Sequence, residues 1–260
     1  ALLILLAHAL EARTRRSLVR LVTLGALLVA AMVMNNRRLA FVGAGAGALA
    51  MVAALPPSPA RTRVVRSLVP VGVLLAGYIA VGQASSSPLF APARLALSAL
   101  SQEDTSADSR VVENDNLIVT FRENPLFGSG LGFEYIEVQK LYDISEIFAY
   151  YRYIPHNSVL WLLTLGGVFG FFFLWAPYVV HVFMAARAHA GLASPTERAG
   201  ALACVAAAVV AIVNDWGDQG RSNYINVVAA AATFALAAKL YAVSGPRTPG
   251  TGAAAGGSPP

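Results

Sequence analysis

Six stretches of this chain, at 17–35, 39–55, 68–83, 158–186, 199–213 and 224–243, are apolar over lengths that match the thickness of a lipid bilayer. At 1.5 Å of helical rise per residue each is long enough, or nearly so, to cross ~30 Å of hydrocarbon. Residues 1–9 read as the end of one more such helix. The pattern predicts an all-α integral membrane protein: a polytopic helical bundle of about six full transmembrane helices plus an N-terminal stub. Hydrophobic residues make up 57% of the chain and charged ones 13%, which is far more apolar than a soluble domain. The sequence starts at Ala1 in mid-hydrophobe, without the charged start and small-residue cleavage site of a signal peptide. Further N-terminal residues are therefore expected.

Arginine placement sets the expected topology. Arg13, Arg15, Arg16 and Arg20 precede the first full helix, Arg61, Arg63 and Arg66 lie between the second and third, Arg187 and Arg198 between the fourth and fifth, and Arg247 follows the last. Every second connection is thus basic, and the positive-inside rule makes those cytoplasmic. The connections at 36–38, 84–157 and 214–223 then face outward. The chain divides into helices at 1–83, an acid-rich extracytoplasmic loop at 84–157, three helices at 158–243, and a Gly/Pro/Ala-rich tail at 244–260 expected to be disordered. Ten of the 14 acidic residues fall in the 84–157 loop, so that loop is a chemically separate region. The net charge of +5 follows from the topology signal. No basic run is interleaved with aromatics, so nucleic acid is not an expected partner.

Several features have bland readings. Cys204 is alone in an apolar helix, so neither a disulfide framework nor a thiolate metal site is expected. His8, His156, His181 and His189 share no ligand spacing, and no protein-built metal site is expected. Gly43-Ala44-Gly45-Ala46-Gly47 lacks a preceding strand and reads as a close helix-packing face rather than a nucleotide loop. Gly128-Ser129-Gly130-Leu131-Gly132 reads as a tight turn whose backbone amides could meet an anion.

The candidate chemistry lies on the outward connections. His156, in Pro155-His156-Asn157-Ser158, sits where the acidic loop meets an apolar helix, and a histidine held there can move a proton near neutral pH. Pro155 sets the entry of the chain, and Asn157 or Ser158 can cap the helix. A helix N-terminus also disfavours the imidazolium, so the base is expected to stay neutral. Arg37 and Arg38 occupy a short outward turn without acidic neighbours, against the positive-inside rule. Snorkelling to lipid phosphate or binding of a specific anion would each account for them. Arg110 and Arg122 lie in the loop near Glu113, Asp115 and Glu123, where surface ion pairing competes with a functional role. The turn Asn214-Asp215-Trp216-Gly217-Asp218-Gln219-Gly220-Arg221 faces the same side and is expected to converge with His156 and the 36–38 turn.

These residues resemble a family. Asn124-Pro125-Leu126-Phe127-Gly128-Ser129-Gly130-Leu131-Gly132, then Pro155-His156-Asn157, then nine residues, Gly167, two residues and Gly170, is similar to the signature of the O-antigen ligase and Wzy-type polysaccharide polymerase superfamily. Arg38-Leu39-Ala40-Phe41, Arg110 about fifteen residues before Asn124, and the acidic turn around Asp218 fit the same pattern. The resemblance implies a GT-C-like glycosyltransferase of the bacterial cytoplasmic (inner) membrane, with its site facing outward and without cofactors. It implies a polyprenyl-diphosphate-linked glycan as donor, undecaprenyl diphosphate as its carrier, and a glycan, lipid or protein hydroxyl as acceptor. His156 would be the base, Arg38 and Arg110 (or Arg37 and Arg122 in their places) would hold the diphosphate, and Asn157 and Asp218 would support them. The resemblance also implies further helices at the front of the set, expected to precede Ala1. A transporter or channel for a small solute or anion is the alternative from another class; the clustering of candidates at one face argues for surface chemistry instead.

Overall fold

A computed structural model describes residues 1–12, 14–35, 38–90, 93–94, 105–140 and 145–245. The side chains of several helix residues, Arg38 among them, lie outside that description, as do Arg37 and the tail from 246. The described elements are α1 (Leu2–Ala12), α2 (Arg15–Asn35), α3 (Arg38–Ala54), α4 (Pro59–Ala84), a short 3-10 turn (Pro88–Phe90), α5 (Thr105–Glu123), α6 (Ser158–His189), α7 (Pro195–Gly217) and α8 (Tyr224–Val243). Among the described residues there is no strand.

Five of these helices, α2, α4, α6, α7 and α8, are long and apolar enough to cross a membrane. Six full helices were expected, and α3 is the one that falls short. Its 17 residues rise about 25 Å before Pro56 and Pro57 end it. α1 is the expected stub. The basic segment 61–66 is helical, the first turns of α4, which Ser58 caps by accepting the Arg61 N–H at 3.2 Å.

α7 is the hub, packed against α1, α3, α6 and α8. Its buried face is Ala199, Ala201, Leu202, Cys204, Val205, Ala206 and Ala208, and such small side chains let helix backbones approach closely. The glycine face of α3 answers it: a methyl group on Gly47 would meet Leu3 at 2.7 Å and Val210 at 3.2 Å. Gly43 and Gly47, four residues apart, thus form the packing face, whereas a Cβ on Gly45 would meet open space. Cys204 is buried here, its thiol 3.6 Å from the Thr233 carbonyl.

α5 is an addition to the sequence reading, which treated 84–157 as loop throughout. Its 19 residues begin with Asp108 in the first turn and end with Arg122 in the last, charges that match the helix dipole at each end. It packs on α6.

The expected continuous helix at 158–186 is broken. Gly167 has φ 59° and ψ −166°, a left-handed conformation inside α6 that glycine adopts without penalty. The break frees carbonyls above it and amides below it, and the Asn124–Gly132 turn takes up both. Ser129 and Gly130 donate to the carbonyls of Thr164 and Leu165 at 2.9 and 3.0 Å; Val168 and Phe169 donate to those of Pro125 and Leu126 at 2.8 and 3.2 Å. The backbones lie so close that a Cβ on Gly128 (φ 73°) would collide with Leu165, and one on Gly167 with Leu126. The two halves of the sequence signature therefore dock on each other. This also corrects one expectation: the Ser129 and Gly130 amides are spent on carbonyls and are not open to an anion.

Candidate functional site

The face of α5 toward the bundle carries Glu113, Asn116, Leu117 and Thr120 at spacings of three and four, one side of a helix, and all are buried. Asn116 Oδ1 accepts the N–H groups of Val138 and Gln139 at 3.0 Å each, and its amide donates to the Gln139 carbonyl at 2.8 Å. The Thr120 hydroxyl accepts the Ile136 N–H at 2.8 Å. Arg152 then pairs with Glu134 at 3.1 Å, and Tyr153 donates to the same carboxylate at 2.6 Å. This ladder fixes 134–139 and 150–153, and so the approach to His156.

Glu113 holds His156 at two points. Its Oε2 accepts the His156 backbone N–H at 2.8 Å, and the imidazole Nδ1 lies 3.3 Å from Oε2 and 3.4 Å from Oε1. The carboxylate is buried, with 6% of the side chain exposed, whereas the imidazole is 45% exposed. One end of the ring is anchored while the ring stays open to the surface. Glu113 raises the His156 pKa above the usual 6.5, chiefly through this hydrogen bond; burial and the Arg110 charge pull the other way, and the Asp218 charge adds to the rise. The helix start was expected to keep the imidazole neutral. The neighbouring carboxylate outweighs it.

Asn157 is the cap, its Oδ1 accepting the Val159 and Leu160 N–H groups at 3.1 Å each. Ser158 does something else: its hydroxyl lies 3.3 Å from the Asp218 carbonyl and accepts the Arg221 N–H at 3.2 Å. Gln219 donates to the Ile154 carbonyl at 3.1 Å. The 218–221 turn is thereby joined to the 154–158 segment, as expected. Its anchor is Arg221, paired with the buried Asp215 at 2.7 Å and stacked 4.9 Å from the ring of Trp175 and 4.1 Å from that of Tyr178.

Of the expected arginines, Arg110 lies one turn before Glu113 on α5, is exposed, and acts on the charge of His156. Arg122 is also exposed but stands twelve residues on, about 18 Å along the axis. Neither makes an ion pair among the described residues, and only Arg110 is brought to the histidine. Arg38 opens α3. The next residue, Leu39, packs on Gly217 so closely that a Cβ there would collide with it. From this junction a groove of about 710 Å³ runs between Leu39, Ala40, Gly43, Asp218, Arg221 and Val227. His156, the start of α3, Arg110 and Asp218 thus gather at one end of the bundle.

Glu113 and Arg221 are the residues that sequence reasoning missed. Glu113 was one acid among ten, and its partner is 43 residues away; the signal that could have found it is the polar row Glu113, Asn116, Thr120 at helical spacing.

The bundle thus holds, at one end, a histidine anchored by a buried carboxylate with Arg110 near it. The family model for O-antigen ligase matches residues 2–175, which include Arg38, Arg110, the 124–132 turn, His156 and the Gly167 break. The chain belongs to the O-antigen ligase family, membrane glycosyltransferases that act on lipid-linked glycans. No curated protein and no solved structure gives a significant match. Asp218 and Arg221 lie beyond the matched residues.

Proposed function

We propose that this protein transfers a glycan from a polyprenyl-diphosphate carrier to an acceptor hydroxyl on the outer face of the bacterial cytoplasmic membrane. His156 is the general base and Arg38 and Arg110 hold the diphosphate. The observation that carries this reading is the His156–Glu113 pair, half open and beside Arg110. With a carboxylate accepting at Nδ1, the ring hydrogen sits on Nδ1 and the lone pair on Nε2. Nε2 takes the proton of the acceptor hydroxyl as its oxygen attacks the anomeric carbon. The bond from that carbon to the diphosphate oxygen breaks, and polyprenyl diphosphate leaves with the electron pair. Fixed positive charge stabilises the departing oxygen, and arginine supplies it as a permanent bidentate fork. Glu113 steadies the imidazolium formed in the step. The basic connections at the opposite end support an outward site.

The test is transfer by the full-length protein in detergent, given polyprenyl-diphosphate glycan and acceptor. His156→Ala and Arg38→Ala are expected to abolish product while leaving membrane insertion intact; normal product from either refutes the assignment. Turnover in detergent, where no sealed compartment exists, separates transferase from transporter.

A further inference from the structure

Ten consecutive residues of the outward loop, Asn124 to Phe133, carry no charge, although Arg122 and Glu123 precede them and Glu134 follows. Their large side chains are not packed inward: Leu126, Phe127, Leu131 and Phe133 are all exposed, Phe127 to 76% and Leu131 to 86%. Apolar groups so presented within an acid-rich segment need a non-aqueous neighbour.

The height of the turn identifies that neighbour. α6 and α7 run between the same two ends of the bundle. Ser158 meets Asp218 at one, and at the other His189 and Arg198 share Glu11. α7 covers this span with 23 residues, about 35 Å, while α6 uses 32 residues and bends at Gly167. The 22 residues from Val168 to His189 alone rise about 33 Å, the thickness of the hydrocarbon. The turn docks at 164–169, and so lies at the hydrocarbon edge on the His156 side.

Two further observations agree. Phe127 stacks on Phe169 with ring centroids 5.4 Å apart, and Phe169, Phe172 and Phe173 continue the exposed apolar surface down the span. The backbone around Pro125–Gly130 is paired to the broken helix by four hydrogen bonds, which is what irregular chain needs at membrane depth, where water cannot satisfy it.

We propose that the Asn124–Phe133 turn is a membrane-inserted wedge, with Leu126, Phe127, Leu131 and Phe133 embedded among lipid acyl chains of the leaflet on the His156 side. It fixes the depth of α5 and of the histidine it holds. The inference is independent of the chemistry proposed for His156.

The experiment places a nitroxide label at Leu131→Cys and, separately, at Phe127→Cys in a background in which Cys204 and any cysteine outside this sequence are replaced by Ala. The full-length protein is reconstituted into phosphatidylethanolamine/phosphatidylglycerol vesicles, and collision with oxygen and with a water-soluble nickel chelate is read by power saturation. Phe173→Cys serves as the lipid reference and Asp108→Cys as the water reference. Both turn labels are expected to show an oxygen-over-nickel ratio several-fold above Asp108→Cys and close to Phe173→Cys. A ratio like that of Asp108→Cys overturns the proposal. So does exclusion of both reagents, which would mean that protein, not lipid, covers the turn.

Discussion

Each end of the bundle holds a histidine against a buried glutamate, and the two pairs differ in burial and in partners. At one end His189 and Glu11 are both sealed, 4% and 8% exposed, with Nε2 2.7 Å from the carboxylate. Arg198 takes the other oxygen at 2.7 Å, so one carboxylate locks α1, α6 and α7 together. At the other end only the glutamate is sealed. His156 is half open, its ring contact with Glu113 Oε2 is longer at 3.3 Å, the same oxygen accepts the His156 backbone N–H, and among the described residues no arginine pairs with this carboxylate. A closed triad holds helices, whereas an anchored ring with a free edge can exchange a proton with a substrate. Burial, not residue type, separates the two.

The comparison can be broken first at the histidines. His156→Ala is expected to lower transfer by about 10²–10⁴-fold, the contribution of a general base, at unchanged thermal stability in detergent; His189→Ala is expected to lower stability and leave turnover per folded molecule near wild type. Reversed phenotypes would void the distinction.

Next is the sealed carboxylate itself. Glu11→Ala leaves the buried His189 and the partly exposed Arg198 without their partner, a loss of up to about 3–5 kcal/mol for a broken buried pair, read as a lowered melting temperature of the detergent-solubilised protein. A stability loss within error would show that the triad is not a lock.

Gly167→Ala tests the break that shapes the open end. A Cβ there collides with the Leu126 backbone in a left-handed conformation, so the turn is expected to undock. Protease nicking within 124–132 of vesicle-reconstituted protein should increase, and transfer should fall. An intact turn in the variant would contradict the docking account.

The smallest effect is expected at Arg122→Ala, within about twofold of wild-type activity for an exposed arginine remote from His156. Arg110→Ala should cost more than tenfold, the scale of a lost charge-assisted contact. Equal losses would remove the preference for Arg110, and activity assays on the two variants decide it.

Much of this was legible in the chain. Apolar run lengths located the spans because hydrocarbon leaves a helix little choice, and the spacing from His156 to Gly170 pointed to the family. Other features depend on partners far apart in sequence. Gly167 stood in the sequence only as a position in the family spacing, and only the chain at 125–130 explains its left-handed conformation. α5 escaped notice because its polar composition hides a narrow buried row. Arg221 sits in a turn expected to converge with His156, while its own contacts are with Asp215, Trp175 and Tyr178. α3 was judged by hydropathy alone, and Pro56 and Pro57 cut it short.

The central claim is that Glu113 tunes and steadies His156 as the base. The most direct measurement is the pH dependence of transfer by wild type and by Glu113→Gln, whose amide can still accept the His156 N–H. The base form is the neutral imidazole, and its pKa is raised above 6.5, most of all by Glu113. Wild-type activity should therefore climb as pH rises through a value above 6.5. In Glu113→Gln the maximal rate should fall while the acidic limb moves to lower pH, because the carboxylate that favoured the imidazolium is gone. An acidic limb that stays in place, or moves to higher pH, would contradict the account.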